Sequence, residues 1–173
     1  MIVLSKEKLF ERLKDLDRDA TLMFQDESRY HVIIVGGSAL ILVGYTSRAT
    51  IDIDIIGATK VLYDLFWKYD MNGQVSAHEN SFPYNFMDRL NLLWSGKKID
   101  FYTASLEDIV IAKLCASRPT DKEDVEAVAD KVNWHLLEKL ALDDGELKSS
   151  ILNDHSYAFF LHNYENYVER FRP

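Results

Sequence analysis

The residues best suited to chemistry are Asp52 and Asp54, which alternate with isoleucines in Thr50-Ile51-Asp52-Ile53-Asp54-Ile55-Ile56. Residues two apart on a strand point to one face, so the two carboxylates converge while Ile51, Ile53 and Ile55 face the core. Two such charges repel unless a cation or basic group lies between them. Mg²⁺ suits the gap, because it takes carboxylate and phosphate oxygens together and keeps waters elsewhere. An Asp-x-Asp pair also occurs on ordinary solvent-facing strands, so the pair alone leaves metal binding open.

Upstream, the β-branched run His31 to Val35 passes directly into Gly36-Gly37-Ser38 and the apolar stretch Ala39 to Val43. This reads as strand, tight turn and helix. The glycines let backbone N–H groups approach an anion, and Ser38 adds a hydroxyl beside the helix N-terminus. The same three residues also read as a plain turn with Ser38 capping a core helix. They lack the Lys-Ser/Thr ending of a P-loop and the spacing of a dinucleotide fingerprint.

In combination these features resemble the nucleotidyltransferase superfamily that includes DNA polymerase beta, kanamycin nucleotidyltransferase and the minimal nucleotidyltransferases. The shared order is strand, Gly37-Ser38, helix, then Asp52-x-Asp54 on a following strand. The resemblance implies that Gly36, Gly37 and Ser38 bind the phosphates of an NTP while Asp52 and Asp54 hold Mg²⁺ or Mn²⁺. It also implies a third carboxylate from a later strand, and Asp100 in Lys98-Ile99-Asp100-Phe101-Tyr102 stands where that residue is expected. By itself, Asp100 reads equally as a polar residue on the outward face of a half-buried strand.

A second block consists of Leu106-Glu107-Asp108, Ile111-Ala112-Lys113-Leu114, Arg118 and Asp121-Lys122-Glu123-Asp124-Val125. With the first block it is similar to the nucleotidyltransferase-like toxins of abortive-infection toxin–antitoxin systems and to related small bacterial proteins. Their pattern places a Lys before a nearby Arg, followed by Arg-Asp-x-x-Asp. Lys113, Arg118, Asp121 and Asp124 match, and Thr120 replaces the second arginine. The resemblance implies nucleotide contacts from these four residues and a catalytic part for Lys113. Physically, Lys113 interrupts an apolar run, so its ammonium must reach water or meet an anion, either phosphate or carboxylate. Asp121 also suits a helix N-terminus without any ligand.

The elements that must position these residues follow from periodicity. An amphipathic helix with Leu9, Leu13 and Leu16 follows Ser5, and another is expected over Ala58 to Tyr69, before a polar loop from Asn72 to Ser81. Strands are expected over Arg89 to Trp94 and Lys98 to Tyr102, joined through Ser95-Gly96. Helices follow from Ser105 to Arg118, from Thr120, and over Trp134 to Leu142, Glu146 to Leu152 and Ser156 to Phe171. The expectation is one α/β (α+β) domain over residues 1–173, with a core at about 30–130 and a helical extension over 131–173. The resemblance specifies this as a nucleotidyltransferase fold, a small mixed sheet flanked by helices.

The formal net charge of −8, from 20 Lys+Arg against 28 Asp+Glu, argues against extended nucleic-acid or anionic-membrane surfaces. A lone cysteine, Cys115, cannot form an internal disulfide, and no long apolar run or leader is evident, so a cytoplasmic setting is expected. The five histidines are dispersed without metal-ligand spacing. Tyr157, Phe159, Phe160, Tyr164 and Tyr167 are expected to pack rather than stack on bases. The function expected is metal-dependent transfer of a nucleoside monophosphate from an NTP to an acceptor hydroxyl on tRNA, protein or a small molecule. A cognate toxin or antitoxin partner is one expectation from the resemblance. The alternative is a nucleotide-binding regulatory or interaction protein of the same fold without turnover.

Overall fold

The computed structural model describes residues 3–143 and 145–173, with backbone alone at 76 and 77. The chain divides into two compact units, residues 1–77 with 90–104, and residues 78–89 with 105–173.

The first unit is built on a five-stranded mixed sheet. Helix α1 (Lys6–Met23) starts where the Ser5 hydroxyl accepts the Lys8 N–H, and it buries Leu9, Leu13, Leu16 and Ala20 along one stripe. Strand β1 (Tyr30–Val35) runs into α2 (Gly36–Val43), which ends at Gly44 in the left-handed region. Strands β2 (Ile53–Ala58), β3 (Met71–Asn72), β4 (Asn91–Ser95) and β5 (Ile99–Thr103) complete the sheet in the order β3-β2-β1-β5-β4. Pairs β1–β5 and β2–β3 are parallel, while β1–β2 and β4–β5 are antiparallel. Helix α2 packs on β1 and β2, and α1 packs on α2 and β5. Val32, Ile34, Ile53, Ile55, Ile99 and Phe101 are fully buried in this core, and the Phe101 ring stacks on Trp94.

The hairpin β4–β5 is fixed by α1. Buried Asp17 accepts the N–H groups of Lys97 at 2.8 Å, Lys98 at 2.8 Å and Ile99 at 2.9 Å. Gly96 is required beside it, because a Cβ there would overlap the Asp17 carboxylate.

The helix expected over Ala58 to Tyr69 is broken. Ala58 instead pairs with Val32 in the β1–β2 ladder, and His31 and Thr59 extend the pairing by two further hydrogen bonds. Only a single α-turn, α3 (Tyr63–Phe66), remains between 3₁₀ turns at Lys60–Leu62 and Trp67–Tyr69. Asp70, at φ 55°, then turns the chain into β3.

The second unit is helical, as the sequence implies. It holds α4 (Leu106–Ala116), α5 (Pro119–Ala127), α6 (Trp134–Leu142), α7 (Leu147–Ser150) and α8 (Asp154–Phe171). Ser105, Asn133 and Asn153 cap α4, α6 and α8 through their side chains. Helix α4 packs against α5, α6 and α8. Phe160, Tyr164 and Tyr167 of α8 are buried, and the Tyr167 hydroxyl donates to Val125 O at 2.8 Å. Among the described residues, no helix is long and apolar enough to cross a membrane.

Candidate functional site

The glycine turn and the acidic strand meet at the end of β1. Val35 and Asp54 are cross-strand partners in the β1–β2 ladder, so Asp54 lies beside the first turn of α2. Gly36 adopts φ +65°, and a Cβ on it would stand 2.7 Å from Asp54 Oδ2. The carboxylate thus packs directly against the glycine. The N-cap residue of α2, Val35, makes no side-chain capping bond, and the first-turn N–H groups, which have no intrahelical partners, favour an anion beside them. Ser38 bonds to the backbone on both sides of this junction. Its hydroxyl, 1% exposed, donates to Val35 O at 2.9 Å and accepts the Asp54 N–H at 3.1 Å.

Asp52 sits in a bend just before β2, and Ile51 is 48% exposed rather than in the core. The alternation expected from Thr50 therefore begins only at Ile53, because Thr50 forms an isolated bridge with Leu4 instead of entering the sheet. Asp52 and Asp54 are both half-buried. Burial first, and the neighbouring charge of Asp70 second, push the Asp52 carboxyl above the ordinary range. Strand β3 supplies the other neighbours. Asn72 faces Asp54 in register and donates to its Oδ1 at 3.3 Å, while Ile53 N–H donates to Asp70 O at 2.8 Å. Asp70 is salt-bridged to Arg12 of α1 at 3.2 Å.

Asp70 and Asn72 were not legible as site residues, since a two-residue strand has no periodicity. The only hint is that aspartate tolerates the left-handed turn found at Asp70.

Among the described residues, no three His, Cys, Asp or Glu side chains gather closely enough to enclose a metal. The donor set of Asp52 and Asp54 nevertheless fits a divalent cation that takes its remaining ligands from phosphate and water. It consists of hard oxygens, half-exposed, and Asp54 is set against a helix N-terminus.

Asp100 does not join this pair. It faces His31 in the β1–β5 ladder, whereas Asp54 faces Val35. The four-residue offset is roughly 13 Å along the strand, and β2 and β5 flank β1 on opposite sides, roughly 10 Å apart. A cation shared by both would require their oxygens within about 4 Å. Asp100 is instead held by Arg29, whose Nε donates to Oδ2 at 3.1 Å and whose Nη2 pairs with Oδ1, and by the Ser95 hydroxyl. The Arg29 hydrogen bond, followed by that of Ser95, holds this carboxyl below the usual range. Arg29 also donates to Lys97 O and Gly96 O at 3.1 Å, so the cluster braces the hairpin.

In the second unit, Lys113, Arg118, Asp121 and Asp124 do come together, on one another. Lys113 Nζ, only 8% exposed, pairs with Asp121 Oδ1 at 3.0 Å and Asp124 Oδ2 at 2.7 Å. Of the anions open to Lys113 from sequence, carboxylates fill the role. Asp121 accepts both the backbone N–H of Arg118 at 3.2 Å and its Nε at 2.7 Å. Asp121 therefore serves the helix N-terminus as well as the lysine. Burial alone would raise its carboxyl, but Arg118 and Lys113 outweigh burial and hold it low.

A family model described as "nucleotidyltransferase of unknown function (DUF6036)" matches residues 11–172. No curated protein and no solved structure matches the chain. The match runs from within α1 to the end of α8 and takes in the glycine turn, the Asp52–Asp54 pair and the Lys113 cluster. The chain therefore belongs to this nucleotidyltransferase family.

Proposed function

We propose that the protein is a divalent-cation-dependent nucleotidyltransferase that moves a nucleoside monophosphate from an NTP to an acceptor hydroxyl. The observation that carries this reading is the seating of Asp54 against Gly36 at the N-terminus of α2. It sets a carboxylate beside backbone donors for phosphate, the two functions nucleotidyl transfer needs side by side.

Asp52 and Asp54 would hold Mg²⁺ or Mn²⁺, which when bound supplies charge neutralisation to the phosphates and acidifies the attacking hydroxyl. The N–H groups of Gly36, Gly37 and Ser38 would hold the triphosphate. The acceptor oxygen bonds to the α-phosphorus, the α–β bridging bond breaks, and pyrophosphate leaves with the electron pair. The acceptor proton passes to a site carboxylate and then to water. Asn72 keeps Asp54 oriented through Oδ1. The acceptor is proposed to be a tRNA end, a protein hydroxyl or a small molecule, with the net charge of −8 favouring a compact acceptor. The similarity of the Lys113 block to toxin-type relatives supports a place in a toxin–antitoxin pair.

Two observations favour the second reading, nucleotide binding without turnover. Asp100 is committed to Arg29, and Lys113 to Asp121 and Asp124. Incubation with α-³²P-labelled NTPs, Mg²⁺ or Mn²⁺, and total RNA or lysate protein separates the two. Label transferred by wild type and abolished in Asp52→Asn/Asp54→Asn supports the enzyme. Nucleotide-dependent stabilisation with no transfer and no pyrophosphate supports the regulatory reading.

A further inference from the structure

We propose that Ser38 is a positioning residue for Asp54, and that phosphate at the start of α2 is held by backbone N–H groups without its hydroxyl. The proposal rests on the nucleotidyltransferase reading of this site and assigns the division of labour within the glycine turn.

A serine hydroxyl has one proton to give and lone pairs to receive. The partners of Ser38 fix both directions, because a carbonyl oxygen only accepts and an amide N–H only donates. The proton therefore goes to Val35 O at 2.9 Å, and a lone pair takes the Asp54 N–H at 3.1 Å. What remains is an acceptor lone pair on a side chain 1% exposed. An ionised phosphate oxygen is itself an acceptor and finds no donor there.

The placement of these bonds gives them a purpose. Val35 and Asp54 are the last cross-strand pair of the β1–β2 ladder. The hydroxyl stands between them as a relay from Asp54 N–H through Ser38 to Val35 O. It thereby ties the acidic strand to the first turn of α2. Gly36 admits the Asp54 carboxylate on one side, Ser38 fixes its backbone on the other, and Asn72 holds Oδ1. Ser38 thus ties the position of Asp54 to the start of α2.

The test compares full-length wild type with Ser38→Ala and Asp54→Asn, using Mn²⁺ alone and inorganic tripolyphosphate in EDTA as separate probes. Binding is measured where circular dichroism shows each protein folded. Loss of a partner that orients a metal ligand weakens metal binding about tenfold or more. Ser38→Ala is expected to show that loss for Mn²⁺, approaching Asp54→Asn, with tripolyphosphate affinity unchanged. A merely structural serine would lower the melting temperature and leave the Mn²⁺ affinity of the folded protein intact, which would overturn the proposal. So would loss of tripolyphosphate binding with Mn²⁺ binding retained, which would make the hydroxyl a phosphate ligand. If wild type binds no Mn²⁺, the cation site itself is refuted, an outcome distinct from Mn²⁺ binding that depends on Asp54 but not Ser38. Should Ser38→Ala not fold, amide hydrogen exchange in wild type decides. A protected Asp54 N–H is expected, and rapid exchange there overturns the relay.

Discussion

Gly36 and Asp54 touch so closely that the one fixes what the other can be: Asp54 Oδ2 occupies space within 2.7 Å of where any Cβ at position 36 would lie. Gly36 also holds φ +65°, in the left-handed region. Gly36→Ala is expected to destabilise the protein by about 1–2 kcal/mol from backbone strain alone. It also displaces the carboxylate. Urea unfolding reads the first effect, and weaker Mn²⁺ binding reads the second.

Removing Lys113 leaves Asp121 and Asp124 facing each other, both 2% exposed. Lys113→Met is expected to cost about 3–5 kcal/mol, the range for breaking a buried ion pair from one side. Pairing it with Asp124→Asn removes one of the two buried carboxylate charges and should recover part of the loss in chemical denaturation.

The same cluster gives an acid limit to stability. Asp121 is held below its ordinary value of 3.8, so the folded state binds its proton less readily than the unfolded chain. Its contribution is fully present above that value and is lost as pH falls through the lower folded value. Denaturation midpoints should fall below pH 4 in wild type, and the fall should be smaller in Asp121→Asn.

Arg29 and Asp100 brace the β4–β5 hairpin at a distance from the Asp52–Asp54 pair. Asp100→Asn should lower the melting temperature and leave Mn²⁺ affinity unchanged. Equal loss of Mn²⁺ binding in Asp100→Asn and Asp54→Asn would return Asp100 to the metal site.

Burial pushes the Cys115 thiol up to about 12, so almost none is thiolate at pH 8. Iodoacetamide should therefore modify Cys115 slowly in the native protein and readily in urea, as mass spectrometry will show.

The parts of the fold legible from sequence are those governed by local pattern. Leu9, Leu13 and Leu16 mark α1, the run from His31 marks β1, and Ser105 stands at the start of α4 as its cap. At the site, the meeting of the glycine turn with Asp54 was implied by the resemblance to nucleotidyltransferases, which the order strand, turn, helix, strand carries. Where long-range pairing decides, pattern failed. Apolar spacing over Ala58 to Tyr69 suggested a helix, but Ala58 and Thr59 bond to β1. Asp100 looked like a metal ligand because sequence shows which strand a residue occupies but not its register against β1. The partners Arg29, Arg12 and Asn72 lie far from Asp100, Asp70 and Asp54 in sequence and carry no local signal.

The hold of Asp17 on Lys97, Lys98 and Ile99 spans about eighty residues of chain, with sequence separations of 80 to 82. Three amide hydrogens of a tight hairpin thus stay without their final acceptor until the first helix of the chain docks. Closing so long a loop before any contact rewards it is the costly part of assembly for such a topology. Full bonding of the β4–β5 hairpin therefore awaits docking of α1, and a substitution such as Asp17→Asn should slow folding if that docking lies in the transition state, or speed unfolding if it follows it.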